Sequence, residues 1–376
     1  MSGTSCAGVD LALIEIKGSG VKTEFRLIST HHHSYSEEQK IGIFSLLEQK
    51  RVGIKEVNQL NFYLAKLWAD IIGKMLNKKK ISKEYIDLIG SHGQTFYHHP
   101  EGDIFIDKKT RSTLQLGDPA VLAQLTGITT IGDFRVADVG LREQGTPLGA
   151  FADLIFFSKL KKNVLFVNIR DITHITFIPA DGRMEKMIAI DTGPGNMLID
   201  QLMQRMYELP NDKHGEKAFL GNFSQKMFDY LLKIDTYPEK KPPKTTGREH
   251  YNSDFVITLL RWALKRRIPE PDVVHTVTKY TAFIIWQASE RFIRHKINTL
   301  CVGGGGSHNK FLMKSLSDYF VNLEIIKSGE IGIDEDFKEA ISCAILANEL
   351  IRENYSNFPI VSGASKPLFL GKICLA

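Results

Sequence analysis

At 376 residues, with 43% hydrophobic and 24% charged residues, the chain is too long for a lone binding module and too apolar for a disordered one, and its length points to two or three domains. Its 48 Lys and Arg against 43 Asp and Glu leave a net charge of +5, spread over short clusters at Lys78 to Lys80, Lys159 to Lys162, Lys240 and Lys241, and Arg266 and Arg267. Such dilution excludes a concentrated nucleic-acid face and suits an anionic small molecule better.

Residues 9–16, VDLALIEI, predict a strand. His31, His32 and His33 resemble a metal cluster by composition only, because adjacent residues do not converge on one face. Residues 45–77 predict one or two helices, and 86–90 a buried strand ending at Ser91, His92, Gly93 and Gln94. His92, Gln94 and Thr95, with His98 and His99 after them, suit a hydrogen-bonding sugar site; core or capping histidines are the equal alternative. After a strand-like 128–131 come Asp133, Arg135 and Asp138. A carboxylate beside an arginine stays ionised and can act as a general base, although a surface ion pair has the same sequence. The first 140 residues thus carry the rhythm of an α/β domain.

A similar pattern then restarts. Residues 163–179 predict strand, tight turn and strand, and 187–190 another strand. The latter runs into Asp191, Thr192, Gly193, Pro194, Gly195 and Asn196, then a helix over 197–206. An acid at a strand end followed by Gly-x-Gly suits a metal-phosphate group or a sugar hydroxyl, and equally an Asx turn or helix cap. The Pro-, Lys- and Thr-rich stretch 235–254 reads as a long loop, and 273–295 as the best buried helix. A strand at 300–302 enters the turn Gly303, Gly304, Gly305, Gly306, Ser307, His308 and Asn309, with a helix over 310–320 behind it. Consecutive glycines let backbone approach a phosphate, with a plain structural turn as the alternative. Neither a Rossmann fingerprint nor a P-loop is present, but two such turns in one chain favour nucleotide chemistry.

Cys6, Cys301, Cys343 and Cys374 form no CxxC pair, and three of them, in apolar runs, read as packed thiols of a reducing compartment. No apolar run approaches the ~20 residues of a membrane span, and no signal-peptide pattern opens the chain. A cytoplasmic protein with no membrane or nucleic-acid partner is the expectation.

Taken in order across nearly the whole chain, these segments resemble the anhydro-N-acetylmuramic acid kinases of the sugar kinase, Hsp70 and actin superfamily. The matching pieces are 1–5 with Gly8, Val9 and Asp10; 91–95 with His98 and Pro100; 113–118; Asp133 to Arg135 with Asp138; Gln144, Gly145, Pro147 and Leu148; 191–196; 242–248; 303–309; and Glu339 with Ala340. The resemblance implies an α/β fold of two ribonuclease-H-like (actin-like ATPase) domains around a central cleft. Residues 1–140 are expected to carry the first phosphate loop and part of the sugar site, and 141–376 the nucleotide site.

The implied reaction uses ATP and Mg²⁺. Water opens the 1,6-anhydro bond of the sugar and the released O6 attacks the γ-phosphate, giving N-acetylmuramic acid 6-phosphate in cell-wall amino-sugar recycling. By motif position, Asp138 is the base, with Arg135 beside it as a second catalytic residue. Nucleotide contacts are implied for Gly3, Thr4, Ser5, Gly8, Asp10, Asn168, Asp191, Gly193, Gly195, Asn196, Gly303, Gly304, Gly305 and Asn309. Sugar contacts are implied for His92, Gln94, Thr95, Thr113, Gln115 and Gly117, Mg²⁺ binding for Glu339, and a homodimer for the assembly.

Three departures fall on phosphate or catalytic loops. The family has a strand before its Ser-Gly-Thr-Ser motif and an acid where this chain has Ala7; here the motif starts at Met1, so the strand expected beside 9–16 is not in the sequence. Arg170 and Asp171 follow Asn168 and Ile169 where the family turns through two glycines, bringing side chains and a like charge to a phosphate turn. Arg142 and Glu143 replace two glycines before Gln144. Two functions fit these residues. Asp138, Glu339, Arg135 and the 191–196 turn favour an active anhydro-sugar kinase, whereas Ala7, Arg170 and Asp171 favour a catalytically silent homologue that binds a sugar or a partner.

Overall fold

The computed structural model describes every residue except 4–7, 50, 142–144, 146–147, 243, 248–249 and 358–365. Its strands are β1 (Gly8–Lys17), β2 (Glu24–Ser34), β3 (Ile89–Gly90), β4 (Gln94–Phe105), β5 (Lys108–Leu116), β6 (Thr130–Gly132), β7 (Val164–Ile169), β8 (Ile172–Ile178), β9 (Ile188–Pro194), β10 (Thr299–Gly303), β11 (Glu324–Lys327) and β12 (Lys372–Cys374). The chain divides into two compact units, Met1–Ile155 with Phe337–Ala376, and Phe156–Asp336. This differs from the expected linear division at 140/141. The last forty residues return to the first unit because the helix Lys338–Ile351 packs on β1 and β3, and β12 pairs with β6.

The second unit holds a five-stranded sheet in the order β11-β10-β7-β8-β9. Strands β7, β8 and β9 run antiparallel in sequence, while β10 lies parallel to both β7 and β11. That is the ribonuclease-H-like order. All six residues of the central strand β7, VLFVNI, are buried, as expected of a strand covered on both faces. The helix Glu270–Phe292 turns Ala282, Ile285 and Ala288 onto the sheet core, where Leu165, Val167 and Leu300 meet them. Its Val273, Val277, Tyr280 and Ile284 enter a second core against Leu202, Leu231 and Leu259 of three further helices. Two buried faces explain why this stretch carries apolar residues almost all round.

The first unit pairs β1 with β2 over their whole length, with a register shift between Leu13 and Ile14. Ser2 bridges Val9, and Met1 and Asp10 exchange backbone hydrogen bonds of 2.8 Å. A separate three-stranded sheet has the order β12-β6-β3, in which β3 and β6 are parallel. The helix Ile54–Lys79 buries Leu64, Trp68 and Ile71 against Val9, Leu116 and Leu122. At Gly90 a Cβ would stand 2.3 Å from the Cys343 carbonyl oxygen, so only glycine lets the C-terminal helix lie this close to β3.

The sequence reading placed strands at 9–16 and over 163–179 and a helix at 273–295, and the structure has them as β1, β7 with β8, and Glu270–Phe292. The 45–77 segment resolves into two helices, Glu37–Glu48 and Ile54–Lys79. The long hairpin of β4 and β5 was not foreseen, because its residues are largely polar and half-exposed and carry no apolar alternation. Among the described residues no helix is long and apolar enough to cross a membrane.

Candidate active site

In the first unit, β3 ends in a turn through Gly93 (φ +75°) that launches β4, and His92 sits buried inside it. The His92 ring donates from Nδ1 to the Gly93 carbonyl at 2.8 Å, and its Nε2 accepts from the Arg135 guanidinium at 3.1 and 3.3 Å. Both nitrogens are thereby committed and the tautomer follows from the partners. Burial first, and the Arg135 charge second, pull the His92 pKa down to about 3, so the ring is neutral. Arg135 also donates to the Gly145 carbonyl at 2.5 Å. Its orientation is therefore set from two sides.

Asp138 lies on the short helix Val136–Gly140 and is 4% exposed. Its Oδ2 accepts a hydrogen bond from the Gly145 amide at 3.0 Å. Gly145, at φ +64°, thus touches both predicted catalytic side chains, one through its amide and one through its carbonyl. Arg142, Glu143 and Gln144, which include the third departure, lie outside the described residues, as do Thr4, Ser5 and Ala7.

The β4–β5 ladder brings Thr95 opposite Gln115 and His98 opposite Thr113. The Thr113 hydroxyl bonds the His98 ring at 3.0 Å and takes the Gln115 amide at 2.7 Å. The other end of that amide, Gln115 Oε1, is buried with no partner among the described residues. An unpaired buried carbonyl costs about 1–3 kcal/mol, and a ligand hydroxyl or N–H would satisfy it. This is the best local sign of a polar ligand.

Two expected sugar contacts have structural duties. Gln94 is fully buried, with its oxygen 2.6 Å from the Ser2 hydroxyl and its nitrogen donating to the Gly3 carbonyl at 3.2 Å. It ties β4 to the first motif. Gly117, at φ +97°, leaves room for the Trp68 ring, which a Cβ would meet at 2.0 Å. Ser2 also contacts the Tyr35 hydroxyl at 3.2 Å, and the Trp68 indole donates to that hydroxyl at 2.8 Å. Sequence reading missed this buried network because its members lie far apart in the chain.

Gly8 is required by the close passage of β2, since a Cβ would stand 2.2 Å from the His33 carbonyl oxygen. Asp10 faces His32 at 2.6 Å. Glu339 sits in the first turn of the helix Lys338–Ile351, where its charge acts on His92, Cys343 and the Met1 ammonium. It therefore belongs with the predicted sugar-side residues of the first unit. Beside it, Lys338 forms a buried 2.5 Å ion pair with Asp153.

In the second unit the predicted nucleotide pieces converge on the end of β7. A Cβ on Gly304 (φ +78°) would meet Asn168 Oδ1 at 2.7 Å, and one on Gly306 would meet Ile169 at 2.3 Å and Asn196 Oδ1 at 3.0 Å. Gly305 faces open space, with only Asn196 Nδ2 at 3.7 Å. The backbone is thus bare at Gly305, with two asparagine side chains beside the turn. Gly303 is held against Phe166, and Asn309 caps the following helix by accepting from the Leu312 amide at 3.0 Å.

The β7–β8 turn shapes this region in a way the side-chain reading did not anticipate. The Arg170 carbonyl accepts the Asn196 amide at 2.7 Å, and the Asp171 carbonyl accepts the Gly195 and Met197 amides at 2.9 and 3.2 Å. Amides at a helix N-terminus, the usual anion donors, are here spent on the neighbouring turn. Arg170 itself reaches the Asp336 carbonyl at 2.8 Å. Nearby, burial and the charges of Asp171 and Asp212 raise the Asp200 carboxyl to about 8.

Asp191 is the most heavily hydrogen-bonded acid of the group. Its Oδ2 accepts from the Thr245 hydroxyl at 2.9 Å and the Thr246 amide at 3.2 Å, and Oδ1 faces the His174 ring at 3.3 Å. Gly193 then lets Ile284 approach, since a Cβ would stand 2.7 Å from Ile284 Cδ1. A family model described as anhydro-N-acetylmuramic acid kinase matches residues 1–376.

The chain belongs to that family.

The anhydro-N-acetylmuramic acid kinase of Caldanaerobacter subterraneus subsp. tengcongensis is 40% identical over 379 residues, covering 100% of this chain and 96% of that protein. A protein of the same name from Bacillus cereus is 37% identical over 377 residues, covering 99% and 97%. In this member of the anhydro-N-acetylmuramic acid kinase family, Asp138, Arg135 and Glu339 lie in one unit, and Asn168, Asn196 and the Gly303 turn in the other.

Proposed function

We propose that the protein is an ATP-dependent kinase that hydrolyses the 1,6-anhydro bond of anhydro-N-acetylmuramic acid and phosphorylates O6, giving N-acetylmuramic acid 6-phosphate and ADP. The observation that carries this reading is the family match over the whole chain with Asp138 buried and aimed by the Gly145 amide. Every relative named above bears the kinase name, which supports the kinase over the silent-homologue alternative.

In the proposed step a water oxygen attacks C1 of the sugar and its proton passes to Asp138. The C1–O6 bond breaks, O6 takes the γ-phosphoryl group, and ADP leaves. Arg135, held by neutral His92 and the Gly145 carbonyl, keeps a fixed positive charge beside that carboxylate. Gln115 Oε1, Thr113, His98 and Thr95 line the sugar side, with the orphan carbonyl accepting a sugar hydroxyl or amide. Phosphoryl transfer asks mainly for positioning and charge neutralisation. The Gly304–Gly306 backbone with Asn168, Asn196 and Asp191 supplies the nucleotide side.

Among the described residues no group of three or more His, Cys, Asp or Glu could hold a metal. A Mg²⁺ ion, which neutralises phosphate charge when bound, would accordingly rest mostly on phosphate oxygens and water, with Glu339 as the protein's acid. A homodimer is part of the same reading.

The test is phosphate transfer from ATP-Mg²⁺ to 1,6-anhydro-N-acetylmuramic acid by wild type and Asp138→Asn. Loss of a positioned base should lower kcat about 10²–10⁴-fold with KM for ATP little changed. Wild type that transfers nothing at millimolar ATP sinks the kinase, and an unaffected Asp138→Asn sinks the base.

A further inference from the structure

The stretch 235–254 is not an idle loop. It begins at Asp235, whose buried carboxylate accepts from the Tyr280 hydroxyl at 2.9 Å and from the Tyr251 hydroxyl at 3.0 and 3.1 Å. Tyr251 ends the same segment and is itself held through its carbonyl by Gln201 at 3.0 Å. Start and end of the segment are therefore tied to one another. Between them Thr245 and Thr246 reach the Asp191 carboxylate.

Immediately before those threonines stands Lys244, only 8% exposed. Its ammonium donates to the Pro238 carbonyl at 3.0 Å and lies 4.7 Å from the Tyr237 ring centre and 5.3 Å from that of Phe292. Among the described residues no carboxylate stands within ion-pair distance of it. Burying an ammonium without a carboxylate is costly, and here carbonyl oxygens and aromatic faces offset the loss. A buried cation retained at such expense, one residue before the Asp191 contacts, is placed to hold the segment and not to meet a ligand.

We propose that Lys244 is a positioning residue, pinning the 235–251 segment through Pro238, Tyr237 and Phe292 so that Thr245 and Thr246 clamp the Asp191 carboxylate for nucleotide binding. This rests on the reading of Asp191 as a nucleotide-side residue. The charged groups facing Lys244 are Asp191, Asp235 and Glu239, which favour its protonated form, and Arg291, which opposes it; His174 and His250 act on it only through Asp191 and Asp235. Burial outweighs the acids and brings its pKa down to about 8. The pin is charged at neutral pH and loses its charge above about pH 8.

The experiment measures ADP affinity by calorimetry and steady-state KM values for ATP and the anhydro-sugar, across pH 7–9, in wild type, Lys244→Met and Lys244→Arg. Lys244→Met should raise the ADP Kd and the ATP KM about tenfold, with the sugar KM within about twofold. Wild-type ADP affinity should fall with a midpoint near pH 8, while Lys244→Arg, always charged, should hold its affinity through pH 9. Nucleotide affinity of a folded Lys244→Met equal to wild type, or a wild-type profile flat from pH 7 to 9, overturns the pin. If Lys244→Met does not fold, the wild-type and Lys244→Arg profiles still decide. A loss of sugar affinity alone overturns it as well, and wild type that binds no ADP at any pH strikes the nucleotide reading of Asp191 together with it.

Discussion

His92 shows how one buried side chain couples the candidate site to stability. With its pKa near 3 in the fold and an ordinary value of 6.5 when unfolded, the unfolded chain binds the extra proton between those limits. Its contribution is complete above pH 6.5 and drains away as pH falls toward 3. About 2 kcal/mol should be lost between pH 7 and pH 5 at 1.36 kcal/mol per pH unit. Urea melts of wild type and His92→Gln at both pH values test this: the variant should lack that share of the acid slope, and identical slopes refute the assignment. Lys244 works with the opposite bias. Its lowered pKa means that this group's share of stability rises above pH 8, while nucleotide affinity is expected to fall.

The same scale shows what residue types announce. Asp138 and Arg135 were singled out through the family resemblance, since by type alone an acid and an arginine after a strand read equally as a surface ion pair; in the structure both touch Gly145. Gln94 looked like a sugar ligand by type, yet its amide serves Ser2 and Gly3, more than ninety residues away in the chain. A side-chain amide carries no mark of which partner it will find. Lys244 was hidden for the converse reason, since lysine among prolines and threonines reads as solvated surface until Tyr237 and Phe292 close over it.

At the level of elements, strand–turn–helix units carrying glycines were readable, because only glycine tolerates the approaches that Gly304 and Gly306 make to β7. The carbonyls of Arg170 and Asp171 were not, since every residue has one and only the fold shows that they occupy the amides of Gly195, Asn196 and Met197. An element contact of the same kind gives a sharp test at Gly90. The Cβ of Gly90→Ala would press on the backbone carbonyl of Cys343, which has no rotamer to yield, so the helix Lys338–Ile351 must lift from β3. A cost of about 1–3 kcal/mol is expected, read as a lowered thermal midpoint. An unchanged midpoint would mean that this helix is not seated as described.

For the whole molecule, the charge arithmetic held only a hint: a small positive excess with no concentrated face. The return of Phe337–Ala376 to the first unit had no sequence signal, because hydropathy along Lys338–Ile351 says that a helix is buried and not by which neighbours. That return makes the first unit dependent on the last. A chain ending at residue 336 should leave β1, β3 and β6 exposed while the second unit keeps its five-stranded sheet. Amide hydrogen exchange should then find protection over β7 to β11 and none over β1 to β6; protection throughout the truncated chain would refute the dependence.

The discontinuity also sets an order for synthesis. Chains emerge N-terminus first at about 5–20 residues per second, so the strands near the start wait on the order of ten seconds or more for the helix that covers them. The later unit, contiguous in sequence, closes before the earlier one is finished. During that interval β1 and β3 lack the helix Lys338–Ile351 that packs on them in the finished unit, and an uncovered strand surface of this kind is expected to favour holding chaperones until the final segment arrives.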